Sequence, residues 1–262
     1  AKQYKVVDDV KYESEVLDIM RSKIGLDKDE KINFISLKKY VATANNTEYS
    51  KNKIAVVYAE GSIVDGKGSD EEIGSDRYAS ILRKIRRDDK VKAVVLRVNS
   101  GGGSALASDV IWNEIEEIKA KGIPVVTSMG DVAASGGYYI ASNSNEIFAE
   151  ENTLTGSIGV FGVLADFDEF YNNKLGITFD KVKTTKYSDF PTSPMLTGDL
   201  TSEESNIIQN GVDHIYTQFK ERVAAGRGMT MDAVEAVAQG RVWTGKRALE
   251  KGLVDKIGNT QD

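Results

Sequence analysis

Cysteine is absent from this sequence. That excludes disulfides, thiolate nucleophiles and cysteine-based metal sites. It does not fix a compartment, because a cysteine-free chain tolerates reducing and oxidising surroundings alike. Histidine is almost absent, with His214 the only one. No apolar run is long enough to span a bilayer. No basic, then apolar, then small-residue start reads as a signal peptide. The chain is therefore expected to be soluble, or anchored through a segment outside it. A broad basic face is missing too: 28% of residues are charged, with both signs mixed, and the net charge is -6. That balance argues against a nucleic-acid partner.

What is present suits one globular domain, or one domain plus a short extension: 262 residues, 40% of them hydrophobic. Residues 1–50 are rich in lysine and acid, with weak apolar periodicity over Glu15–Ile24. They read as a helix plus linker. From Lys53 the texture changes. Ile54–Tyr58 and Val91–Val98 read as buried strands, and Gly61–Ser75 as a loop. Tyr78, Ile81, Leu82 and Ile85 share one helical face.

The rhythm then repeats. A glycine turn at Asn99–Ser104 leads to a helical stripe of Leu106, Val110, Ile111, Ile115 and Ile118. Gly122 closes that helix, and Pro124 opens a strand over Val125–Met129. A second glycine-rich turn precedes a short helix near Tyr138–Ala141, and Ile147–Ala149 is a further strand. Strand, turn, helix, strand in this order predicts an α/β fold with a largely parallel sheet. The last third is more helical. Thr201 and Glu204 form a capping box for a helix bearing Ile207, Ile208, Val212, Ile215, Phe219 and Val223. Another helix starts at Thr230 and ends at Gly240.

The chain's beginning echoes its end. Ala1, Val7 and Asp8 match Ala248, Val254 and Asp255, while Val6 and Val10 answer Leu253 and Ile257 as aliphatics. The echo suggests a tandem repeat of which only the tail of the first copy remains. Chance likeness in a short apolar-acidic stretch is the alternative. The expected division is residues 1–52, the tail of a preceding repeat plus a helical linker, and a domain over residues 53–262.

Three small-residue turns are candidates for chemistry. Asn99-Ser-Gly-Gly-Gly-Ser104 lies between a strand and a helix. It lacks the lysine of a P-loop, and Leu106 stands where a dinucleotide motif needs its last glycine. Backbone N–H groups there suit an oxyanion hole, or the glycines simply make a tight turn. Asp131-Val-Ala-Ala-Ser-Gly-Gly-Tyr138 occupies the same position one strand along. Ser135 has only small neighbours, so a substrate carbonyl can reach its hydroxyl, and the Gly136 N–H could help hold the oxyanion. Otherwise Ser135 caps the helix that follows. Both turns fall at the carboxyl ends of strands, where open α/β sheets bind ligands.

A nucleophilic serine needs a base. His214 shares its helix face with Asn210, Asp213, Thr217 and Glu221, away from the apolar stripe, and reads as solvent-facing. A Ser-His-Asp triad is thereby disfavoured. A lysine whose pKa is lowered by burial and neighbours is the remaining base. Lys186, just after a strand predicted near Val182, is one of many lysines. Ser157, in Thr153-Leu-Thr-Gly-Ser-Ile-Gly-Val160, could orient a neutral lysine amine or be an ordinary turn serine.

Leu96-Arg-Val-Asn-Ser-Gly-Gly-Gly-Ser104, Ala133-Ala-Ser-Gly-Gly-Tyr-Tyr-Ile140, Leu154-Thr-Gly-Ser-Ile-Gly-Val-Phe-Gly162 and Gly240-Arg-Val-Trp-Thr-Gly245, in this order and spacing, resemble the signal peptide peptidase A (protease IV) family. The likeness runs from about Ile54 to the C-terminus, and Glu15–Tyr40 is similar to the linker joining the halves of long members. It implies a Clp-protease/crotonase-like fold of repeated β-β-α units, with a helical C-terminal part. It implies no cofactor and a Ser-Lys endopeptidase that degrades cleaved signal peptides in the bacterial cell envelope. Such an enzyme is a homo-oligomer held at the inner membrane, with its catalytic domain extracytoplasmic. Ser135 matches the nucleophile. Gly136 and Gly102 match the oxyanion donors, and Ser157 the serine supporting the lysine. Gly101 stands where the family usually has proline. Lys186 matches the lysine position, but in double-length members the working lysine comes from the first half, which here would be missing. Two rivals stay open: a crotonase-type acyl-CoA enzyme, which shares the oxyanion hole but needs no nucleophile, and a non-catalytic assembly half.

Overall fold

A computed structural model describes residues 2–44, 50–190, 195–196, 198 and 200–260. The chain divides into two units, Ala1–Ser50 and Lys51–Asp262. The first holds helices α1 (Glu13–Ile24) and α2 (Leu37–Ala44). In α1, the Tyr12 N–H donates to Glu15 at 2.8 Å, and Gly25 ends the helix in the left-handed region.

The second unit is built on a seven-stranded sheet. Strands β1 (Lys53–Glu60), β4 (Val91–Ser100), β5 (Val125–Ala134), β6 (Glu146–Ala149) and β9 (Lys256–Ile257) lie side by side in that order, all parallel. Strand β7 (Leu154–Gly156) continues beside the end of β5, and β8 (Val242–Thr244) pairs antiparallel with β7. Two short strands, β2 (Ser62–Val64) and β3 (Glu72–Gly74), pair in a separate parallel ribbon inside the stretch expected to be loop. Three residues each are too few to leave a periodic signature.

Helices α3 (Ser75–Arg87), α4 (Ala105–Ala120) and α5 (Gly136–Ala141) supply much of the core's helical part. One register row, Val57–Leu96–Thr127–Ile147, crosses four strands and is buried throughout. Leu82 of α3 and Ile111, Ile115 and Ile118 of α4 belong to the same core. Each such aliphatic side chain stabilises the fold by roughly 1.5–3 kcal/mol. Residues of the opposite parity on β1 are open: Ile54 is 67% and Tyr58 63% exposed. The strand expected to be wholly buried is an edge strand with one covered face, and an apolar run alone does not show which. Leu106, assigned to the buried stripe, is 68% exposed, because it sits in the first turn of α4 beside the glycine loop.

After β7 the chain passes through a π-helical turn at Phe170–Leu175, then α6 (Ser202–Arg227), α7 (Met231–Val237) and α8 (Gly245–Glu250). The capping box on α6 is formed: the Glu204 N–H donates to Thr201 Oγ1, and the Thr201 N–H to Glu204. Only Phe219 and Val223 of the expected stripe are buried, and Ile207 is exposed. Thr230 caps α7, which stops at Val237 rather than at Gly240. The chain then turns through Gln239 and Gly240, both at positive φ, to enter β8. The expected strand near Val182 does not form; no regular element covers residues 176–183. Tyr138 of α5 donates to the Leu253 carbonyl at 2.8 Å, which ties the chain's end to the helix after Ser135, and Arg227 of α6 pairs with Asp255. Among the described residues no helix is long and apolar enough to cross a membrane.

Candidate active site

The carboxyl ends of β4 and β5 meet at a bulge. Val98 faces Met129, but Ser100 faces Ala133, so β5 carries two extra residues over that step. Asn99 fills the gap: its Oδ1 accepts the Val132 N–H at 3.2 Å. A Cβ on Gly130 would lie 2.8 Å from that oxygen, so the position has no room for a side chain. Thr153 Oγ1 donates to the Gly130 carbonyl at 2.8 Å. Groups stranded by the bulge thus find side-chain partners, and β5 is pushed forward to deliver Ser135 at the sheet's rim.

Ser135 is the single residue between β5 and α5. Its φ of 52° and ψ of -122° are costly for a residue with a side chain. The conformation is imposed from both sides. Its N–H donates to the Gly156 carbonyl at 2.9 Å, and its carbonyl accepts from the Tyr139 N–H at 2.8 Å. The side chain does not cap α5, so the helix-capping alternative is not what this structure shows. Ser135 is half-buried, whereas Gly136 through Ala141 are buried. A sharp strand-to-helix turn that presents a hydroxyl above the sheet is the geometry of a nucleophile elbow.

The glycine loop lies against this turn. Gly102 and Gly103 have φ of 101° and 153°. A Cβ on Gly102 would come 2.6 Å from the Gly136 nitrogen and 2.8 Å from Ser135 Cβ. Only glycine permits this approach. The Gly102 N–H, expected to face an oxyanion, donates to Ser100 Oγ at 3.1 Å. The next peptide is held from the other side. Gly102 O accepts from the Ile63 N–H at 3.0 Å, and the Ser104 N–H donates to Ile63 O at 2.8 Å. A trans peptide points its N–H opposite to its carbonyl, so the Gly103 N–H is turned away from Ile63. The Gly103 nitrogen lies 3.2 Å from where a Cβ on Gly136 would stand. Two backbone donors, on Gly136 and Gly103, therefore sit next to Ser135. Gly136 is the first residue of α5, and Gly103 precedes Ser104, the N-cap of α4.

Ala134 pairs with Gly156 on the last rung between β5 and β7, so Ser135 and Ser157 are the residues that follow that rung on the two strands. Ser157 too has positive φ, 49°, and its N–H donates to the Arg241 carbonyl at 2.7 Å. The Gly240 N–H donates to Ile158 at 2.9 Å. The segment from Gly240 to Thr244 is thus a brace that holds the Ser157 turn against β5.

Lys186 bonds to a group outside these turns. It is exposed, and its Nζ donates to Glu203 Oε1 at 2.7 Å, with Tyr187 bonded to the same carboxylate. Glu203 holds the Lys186 pKa above its ordinary value, which stabilises the ammonium, the form that cannot accept a proton. His214 is solvent-exposed, as its helical position predicted. Sequence reasoning missed Gly103, Asn99 and Thr153. All three stand inside quoted motifs, but which glycine N–H faces the serine depends on Ile63, within the stretch taken for loop.

Residues 117–262 match the family model described as Peptidase family S49. The matched stretch includes Ser135 and Ser157 and begins after the glycine loop. The chain is 41% identical to Protease 4 of Haemophilus influenzae over 99% of its own length and 42% of that protein. It is 37% identical to the chloroplastic serine protease SPPA of Arabidopsis thaliana, over 98% of its length and 38% of the other. It is 38% identical to Protease 4 of Salmonella typhi, over 100% and 41% respectively. The chain thus spans about two fifths of the length of these relatives.

Proposed function

From the premise that this chain belongs to peptidase family S49, with its Clp-protease/crotonase-like fold, we propose that it is the serine endopeptidase domain of a larger protein, with Ser135 as nucleophile. The Ser135 oxygen attacks the peptide carbonyl, and a lysine takes the hydroxyl proton. The Gly136 and Gly103 N–H groups stabilise the oxyanion while Gly102 keeps the approach clear. Collapse expels the amine, which takes up the proton, and water then releases the acyl group by the same route. The strained, uncapped Ser135 between β5 and α5 carries this reading. Peptide hydrolysis by the full-length protein, with and without Ser135→Ala, tests it; activity surviving the substitution would end it.

Two lysine sources fit the Ser-Lys mechanism. Lys186 is the one within this chain, with Ser157 as the hydroxyl that would orient its amine. Its pairing with Glu203 favours the other source, a lysine outside this chain. The length of the relatives supports such a missing half, and the chain's own start does so in geometry. Lys5 has φ 55° and donates its N–H to the Lys2 carbonyl at 3.0 Å; Gly252 has φ 73° and donates to Leu249 at 3.1 Å. These are equivalent positions in the echo between residues 1–10 and 248–257. Residues 1–52 are accordingly the tail of a preceding repeat plus a linker, ahead of the peptidase domain at 53–262. The substrates proposed are cleaved signal peptides in the cell envelope. The working form is a homo-oligomer, anchored to the membrane outside this chain.

A further inference from the structure

We propose that Ser100 is a positioning residue of the oxyanion site, a role that rests on the peptidase reading above. Ser100 ends β4 and is buried. Its Oγ accepts the Gly102 N–H at 3.1 Å, while the Gly102 carbonyl is held by the Ile63 N–H at 3.0 Å. Residue 102 is therefore tied at both its polar groups, in different directions. With both tied, the next N–H, on Gly103, is the one left beside Ser135 and Gly136. Ser100 also touches the nucleophile's own helix: a Cβ on Gly137 would lie 2.5 Å from the Ser100 carbonyl and 3.2 Å from Ser100 Cβ. One serine thus sets the loop that carries one donor and packs on the helix that carries the other.

The loop needs such a tie. Gly101, Gly102 and Gly103 are consecutive, and glycine loses more backbone freedom on ordering than any other residue. Gly101 is exposed, and a Cβ there meets nothing within 4 Å. The tie the loop has at this flexible position is the Ser100 hydroxyl. Stiffening residue 101 should therefore substitute for the lost bond. Ser100, as a strand residue, already has the extended backbone that a following proline demands.

The experiment measures inactivation of the full-length protein by a fluorophosphonate, as a maximal rate and a half-saturating concentration, beside thermal midpoints. Ser100→Ala is expected to lower the maximal rate about 10- to 100-fold, the scale of a misplaced reacting group, with the half-saturating concentration held and a modest fall in midpoint, because the buried Gly102 N–H loses its acceptor. Adding Gly101→Pro to Ser100→Ala is expected to recover at least about a third of the lost factor on a logarithmic scale. An unchanged rate in Ser100→Ala would overturn the proposal. So would a loss that Gly101→Pro leaves untouched, because that makes Ser100 a packing residue. A Ser100→Ala protein that fails to fold counts against it in the same way. Reaction that persists in Ser135→Ala would instead overturn the peptidase reading itself.

Discussion

Ser135 hangs from Gly156. The 2.9 Å bond from the Ser135 N–H to the Gly156 carbonyl joins the turn of one serine to the residue just before the other, Ser157. Both serines sit at positive φ, and each donates its N–H to a backbone carbonyl, Ser135 to Gly156 of β7 and Ser157 to Arg241 just before β8. Ser157→Ala should lower the rate of Ser135 modification on the order of 10- to 100-fold without changing the melting temperature. Inactivation kinetics check this; an unchanged rate makes Ser157 an ordinary turn residue.

Lys186→Ala separates the two lysine sources. With Lys186 held as an ammonium by Glu203, the substitution should leave Ser135 reactivity within about two-fold, the effect of an exposed ion pair being small. Intact-mass kinetics on the full-length variant provide the measurement. A loss of about 10²-fold or more, the usual scale for removing a general base, would assign the base to Lys186.

Asn99 supports the bulge beneath the site. Asn99→Ala leaves the Val132 N–H without its acceptor and should cost roughly 1–3 kcal/mol. Urea unfolding should show this as a lower midpoint at unchanged slope. The same variant should react more slowly at Ser135, since the bulge sets how far β5 projects.

Acid should loosen the α6–α7 contact in a defined window. Lys220 first, then Gln239 and Tyr216, hold the Glu235 carboxyl down from its ordinary 4.5 to about 2. Because the folded pKa is the lower one, the unfolded chain binds the proton first as pH drops. The contribution is complete above about 4.5 and is lost as pH falls to about 2. Glu235→Gln should flatten the stability profile in that window, as read by denaturation at stepped pH.

The small-residue turns, the α/β alternation and the capping box at Thr201 were legible because each depends on residues close in sequence. The open face of β1 was not, since Ile54, Val56 and Tyr58 are as apolar as the buried Val57 and its neighbours. The β5 bulge was hidden for a different reason: Asn99 and Val132 are 33 residues apart. The choice between Gly102 and Gly103 was hidden likewise, because it turns on Ile63. The strand expected before Lys186 rested on local texture, and among the described residues no strand forms a ladder with that segment.

The most direct test of Ser135 as nucleophile is intact mass after treating the full-length protein with a fluorophosphonate, beside Ser135→Ala. One adduct, mapped to Ser135 and absent from the variant, is the predicted result. An adduct that persists in Ser135→Ala, or a wild-type protein that hydrolyses peptides yet never reacts at Ser135, would contradict it.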